Sequence, residues 1–200
     1  MKNLTKITLM LLAVGVLAGC SKNFYEADQL EPMKRKHRSM AVVPPDMNVE
    51  SKSEPSASTS ANHGNVGAAY KIQEILTQKL AAEAEDYTVT IMASEETNKA
   101  LQAGNVNYFE LYTTQSIKAT GDVLGVDGII KGEIDTPKPL KEEEQADNKK
   151  IKVKLMLYEA NAETLLWSYE DKYEFNKYNT PEKLAKRIFD KISGKFPYKD

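Results

Sequence analysis

The chain is short of the side chains that carry most chemistry: of 200 residues one is Cys, two are His and one is Trp. A single cysteine, Cys20, forbids any disulfide within the chain. With one thiol and only His37 and His63, no Cys/His zinc site of ordinary ligand spacing is encoded. No G-x-S-x-G, H-E-x-x-H or Walker sequence occurs, so nothing points to a catalytic residue, a cofactor or a metal. Positive charge is not in excess either: 27 Lys and Arg face 29 Asp and Glu, which argues against general nucleic-acid binding. Apart from one short N-terminal stretch there is no long hydrophobic run.

That stretch is the most informative part of the chain. Lys2 and Lys6 precede the apolar run Ile7–Leu17, which is shorter than the roughly 20 residues a bilayer-crossing helix needs. It matches the apolar core of a secretion signal, about 7–15 residues. Leu17-Ala18-Gly19-Cys20 follows, a Leu and two small residues before a Cys, the pattern of a bacterial lipobox. Residues 1–19 therefore read as a lipoprotein signal peptide, cut between Gly19 and Cys20, with Cys20 taking a diacylglycerol thioether and a palmitate-type acyl chain. Several acyl chains on one Cys anchor firmly, at about 0.8 kcal/mol per buried CH₂, where one chain does not. Loss of Lys2 and Lys6 takes the net charge from -2 to -4. Ser21, where an Asp holds enterobacterial lipoproteins in the inner membrane, favours the outer membrane with the protein facing the periplasm.

Beyond the anchor, residues 20–38 read as lipidated Cys and tether, ending in the basic run Lys34-Arg35-Lys36-His37-Arg38. Residues 39–196 read as a single α/β domain. Ser39–Pro44 is expected as a buried strand stopped by Pro44-Pro45, and the Ser/Pro-rich segment 46–65 as a mobile surface loop. Val66, Tyr70, Ile72, Ile75, Leu76 and Leu80 predict a helix over 67–84 with these residues on its apolar face. A strand is expected at 87–91, then a helix capped by Ser94 with Glu95 and Glu96 in its first turn and Gly104 at its end. Residues 109–124 are expected to be one helix, with Gly125 at the turn before a strand over 126–134. Asp127 is placed to bond backbone amides at the start of that strand. The charged segment with Glu142, Glu143 and Glu144 reads as solvated surface. Ile151, Val153, Leu155 and Leu157 alternate with polar residues as a half-buried strand, and 165–175 returns as its hairpin partner with Trp167 in the core. Thr180-Pro181 opens a last helix, apolar at Leu184, Ala185, Ile188, Phe189 and Ile192, with Gly194 at its end. The order implies an α/β sandwich with a mixed sheet packed with helices: helix-linked early strands parallel, the last two antiparallel.

Three phrases carry a resemblance: Arg38–Pro45, Leu124–Ile134 and Leu157–Trp167. They resemble the first strand, the "LGAD-x-x-x-x-G-x-I" strand and the "L-x-D-x-x-T-G-x-x-x-W" hairpin of a group of periplasmic lipoproteins. That group includes the curli-secretion lipoprotein CsgG and the penicillin-binding-protein activator LpoB, with domains like the N-terminal domain of TolB. Two departures stand out: Glu159 replaces the usual Asp, and Glu163-Thr164 stands where the group often has Thr-Gly. The resemblance implies a TolB N-terminal-like fold and an envelope location. It implies a non-enzymatic binding or assembly-accessory module with an envelope protein partner or a second copy of itself, besides the bilayer held through Cys20. The alternative it offers is a subunit of an oligomeric secretion or pore-type complex. Its candidate inserts, residues 104–120 and 135–149, lack paired strands of about 9–11 alternating residues, as a membrane barrel requires.

Overall fold

The computed structural model describes residues 23–49, 58–83, 88–137, 140, 150–174 and 180–199, with side chains from residue 65 in the second stretch. Strand β1 (Phe24–Glu26) is followed by a short helix α1 (Leu30–Lys34), strands β2 (Ser39–Val42) and β3 (Asp46–Val49), and the long helix α2 (Ser58–Ala82). Strand β4 (Thr90–Ile91) leads to helices α3 (Ser94–Ala103), α4 (Glu110–Thr113) and α5 (Ile117–Leu124). Strands β5 (Gly128–Thr136), β6 (Lys150–Glu159) and β7 (Leu165–Glu174) and helix α6 (Pro181–Ile192) complete the domain.

The seven strands form one mixed sheet in the order β1-β7-β6-β5-β2-β4, with β3 also pairing β5. β2 is parallel to β4 and β5, whereas β5, β6, β7 and β1 pair antiparallel. The expected α/β class with a mixed sheet is what the chain adopts.

The alternation in β6 does what its period of two requires. Ile151, Val153, Leu155 and Leu157 are buried and meet Ile72, Leu76 and Leu80 of α2 and Leu184, Ile188 and Ile192 of α6 in one core. Trp167, fully buried, lies in that core as expected. Helix α6 starts as the sequence indicates, with Thr180 Oγ1 accepting from Lys183 N at 3.4 Å and Pro181 in the first turn. On the other face α3 to α5 cover only part of the sheet, through a smaller cluster of Leu101, Val106, Leu111, Leu124 and Ile129. Gly125 closes α5 in the left-handed conformation, φ 65°, which glycine adopts without cost.

Several expectations are corrected. The tether expected to residue 38 is part of the fold from residue 23 onward. Phe24–Glu26 pairs with Trp167–Tyr169, Phe24 packs on Trp167 and Tyr169, and Leu30 is buried. His37 is buried too, its Nδ1 2.5 Å from the Tyr198 hydroxyl. The expected 46–65 loop begins as strand β3 and ends inside α2, whose helix starts at Ser58; residues 50–57 lie outside the described residues. Tyr70 does not face the core but is 37% exposed, because the buried stripe of α2 runs through Ala69, Ile72, Gln73, Leu76 and Leu80. Of the strand expected at 87–91, residue 87 lies outside the described residues and the described strand is Thr90–Ile91; that expected at 126–134 begins at Gly128.

Ser94 is the first helical residue and not the cap: Ala93 caps α3 without a side-chain bond, since the chain leaves the sheet one residue earlier, after Met92 N donates to Met40 O. The helix expected over 109–124 is broken. Thr113 Oγ1 bonds back to Phe109 O at 2.8 Å and Ser116 Oγ accepts from Ala119 N at 3.1 Å, so these hydroxyls end one helix and cap the next. Residues 104–120 thus carry α4 and the start of α5, with no strand. Cys20, the leader and Glu142–Glu144 lie outside the described residues, as does the side chain of His63.

Candidate functional site

The most unusual local structure is the Pro44-Pro45 step between β2 and β3. Val42 pairs with Ile130 and Asp46 with Glu133, so three residues on one strand oppose two on the other. Proline cannot donate to a ladder, and the step leaves backbone groups in need of partners. Side chains supply them. Gln73, fully buried on α2, donates Nε2 to Val42 O at 2.9 Å. The Tyr112 hydroxyl donates to Pro44 O. The Tyr108 hydroxyl donates to Pro45 O at 2.9 Å and accepts from Met47 N at 2.9 Å. Opposite, Gly132 is required for space, because a Cβ there would sit 2.8 Å from Pro45 Cβ.

These tyrosines belong to an aromatic group that reaches the surface. The Tyr108 ring centroid lies 6.3 Å from that of Tyr70, 5.6 Å from that of Phe109 and 5.8 Å from that of Tyr112. Burial pushes the Tyr108 hydroxyl up to about 12 and that of Tyr112 well above its usual range, so both stay protonated and act as donors. Lys131 caps the inner end. Its Nζ lies 4.6 Å from the Tyr112 centroid and donates to Leu111 O at 2.8 Å, and its burial lowers its pKa against the pull of Asp46 and Glu133.

Outside the ring group is a groove of about 560 Å³ lined by Tyr70, Asn98, Leu101, Gln102, Asn105, Val106, Asn107 and Tyr108. Four of these eight are amides, two are tyrosines and none is charged. The buried Asn98 Oδ1 has no hydrogen-bond partner within the protein. A smaller hollow of about 220 Å³ continues past Tyr108 to Phe109, Tyr112, Asp46 and Asn48. Phe109 is 41% exposed. Uncharged amides beside exposed rings suit a neutral, hydrogen-bonding ligand surface such as an extended peptide.

The residues singled out in the sequence fall elsewhere. Asp127 holds the start of β2 as expected, Oδ2 accepting from Arg38 N at 2.7 Å and Ser39 N at 3.1 Å. Glu159 accepts from Ala162 N and Asn161 Nδ2, closing the β6–β7 turn, and Glu163 there takes φ 56°. The basic run does not form one patch: Lys34 pairs with Glu31 at 3.1 Å, Arg38 Nη1 bonds Arg35 O and His37 O, and His37 is interior. Among the described residues no group of three or more His, Cys, Asp or Glu is arranged to hold a metal ion. No described helix is long and apolar enough to cross a membrane. Sequence reading missed Gln73, Tyr108 and Tyr112. The available signal was the proline pair at the end of a buried strand, which demands substitute donors, together with the i, i+4 spacing of the two tyrosines.

No family model and no curated protein matches the chain. Solved structures resemble it in outline. Lipoprotein GNA1162 from Neisseria meningitidis is 12% identical, with a TM-score of 0.46 over 79% of this chain and 98% of that one. A PelC dodecamer from Paraburkholderia phytofirmans is 13% identical, with a TM-score of 0.44 over 82% and 89%. The LpoB C-terminal domain from Escherichia coli is 11% identical, with a TM-score of 0.43 over 74% and 100%. With TM-scores below 0.5, these likenesses assign neither family nor activity.

Proposed function

We propose that the protein is a lipid-anchored module of the bacterial cell envelope, held by acylated Cys20 and binding a protein partner through the Tyr70–Phe109 face. The outer membrane, periplasmic side, is the location the leader and Ser21 favour. The observation that carries the binding role is the uncharged amide-lined groove flanked by two exposed aromatic rings, Tyr70 and Phe109. Exposed aromatics with little charge are the composition of an interface centre, and rigid rings lose little entropy on docking. The module works by recognition: ring faces and amides bind an extended or edge-on partner segment, and the lipid concentrates the domain at its membrane.

Site-specific photocrosslinking in living cells tests this. With a benzophenone amino acid in place of Phe109, a discrete higher-mass adduct is expected, weakened when Tyr70→Ala is combined with it. The same photoprobe in place of Lys172, on a distant strand, gives no such adduct. Equal adducts at both positions, or none at Phe109, contradict the assignment.

A further inference from the structure

The lipid anchor and the folded domain are closer together in the chain than the sequence suggests. Asn23 O already accepts from Glu170 N at 2.8 Å, which ties residue 23 to β7. From Cys20 to Asn23 there are three Cα steps, at most about 11 Å of chain. Whatever path residues 21 and 22 take, an acylated Cys20 at headgroup level holds the Asn23–Glu170 contact within that distance of the bilayer.

Among the described residues β1 is the outermost strand of the sheet, paired on one flank only, with β7. Tyr25, at its centre, is 50% exposed, and its register partner is Ser168. The register places Lys150, Lys152, Lys154 and Lys172 on the same face as Tyr25, with Glu170 and Glu174 of β7 and Glu133 and Asp135 of β5 opposite them, so the face is mixed in charge. An exposed tyrosine, apolar in its ring and polar at its hydroxyl, suits the interfacial zone of a bilayer. The aromatic face lies across the sheet: from β1 to β3 are four strand spacings, about 19 Å.

We propose that the β1 edge is the membrane-facing edge of the anchored protein, with Tyr25 at the headgroups and the Tyr70–Phe109 face turned away from them. The inference rests on the acylation of Cys20. A compact domain of this length is about 40 Å across, so the face meets its partner within about that distance of the bilayer.

The test uses the full acylated protein in vesicles of phosphatidylcholine with a minority of phosphatidylglycerol. Acylation consumes the only native thiol, so Glu170→Cys and Gln102→Cys, both at exposed positions, each take one spin label. Nickel-chelating lipid in the headgroup layer is expected to relax the label at 170 strongly and to leave the label at 102 at its detergent-solubilised value. A Gly-Ser insertion of about 20 residues after Ser21, with a reach of about 25 Å, is expected to abolish the difference. Vesicle flotation separates the two possible failures. Protein that does not float with the vesicles contradicts acylation, and the inference with it. Protein that floats but shows equal relaxation at both labels, or keeps the difference with the long insertion, contradicts the short leash alone.

Discussion

The two edges of the sheet are held in opposite ways. Beyond its backbone pairing with β7, the three-residue β1 edge is held by ring packing: Phe24 lies 5.1 Å from Tyr169 and 6.0 Å from Trp167, and the buried Trp167 Nε1 has no hydrogen-bond partner. At the Pro44-Pro45 edge two tyrosine hydroxyls and a glutamine amide take over hydrogen bonds that the backbone cannot make. The first edge depends on apolar area, the second on polar geometry. The difference also separates roles. Ring packing fixes the chain at its first described strand, while the polar scaffold holds Tyr108 beside Tyr70 and Phe109, which stay at the surface.

Substitutions sharpen this contrast in descending order of effect. Trp167→Ala removes the largest buried ring of the β1 side and is expected to cost about 3–5 kcal/mol in urea unfolding, with β1 released. A loss near that of a surface substitution would show that the edge is not held by packing. Tyr108→Phe keeps the ring and removes only the hydroxyl. Leaving Met47 N and Pro45 O without partners is expected to cost about 1–3 kcal/mol, and to raise hydrogen exchange in β3 without changing it in β1. Equal exchange in both strands would break the separation of the edges.

A third prediction concerns pH. Burial depresses the pKa of His37, against the opposing pull of Asp127 and Glu159. The unfolded chain therefore takes up this proton first, near pH 6.5. The contribution of neutral His37 is present above that value and is lost as pH falls below it. The urea midpoint is expected to drop on acidification from about pH 7 to about pH 5. His37→Phe should shrink the part of that drop that depends on His37; an unchanged pH profile would contradict the buried neutral histidine. The smallest stability effect is expected at the exposed rings. Tyr70→Ala should change unfolding by about 0.5 kcal/mol or less, as at other exposed sites, yet weaken partner capture at Phe109. Stability loss on the scale of Tyr108→Phe would make Tyr70 a structural residue.

The sequence was legible wherever one residue period dominates. Strand β6 alternates over Ile151–Leu157 and α6 repeats its apolar positions, so both appear where expected. Asp127 was legible because a short carboxylate at a strand entry can accept from the free backbone amides beside it. Strand β1 was not, since Phe24-Tyr25-Glu26 is too short to show a period and gains its structure from β7, more than 140 positions away. The break at Ser116 was hidden by hydroxyls that bond their own backbone. The aromatic face was hidden for another reason. Tyr70 and Tyr108 become neighbours only once α2 and the segment before α4 meet above the proline step.

The placement of one edge at the membrane and the other toward a partner depends on what is bonded to Cys20. Mass analysis of the N-terminal peptide from membrane-extracted protein measures this directly. A peptide beginning at Cys20 and carrying a diacylglyceryl and an acyl group is the expected result. A peptide beginning at Met1, or at Cys20 with its thiol free, would contradict the anchored orientation.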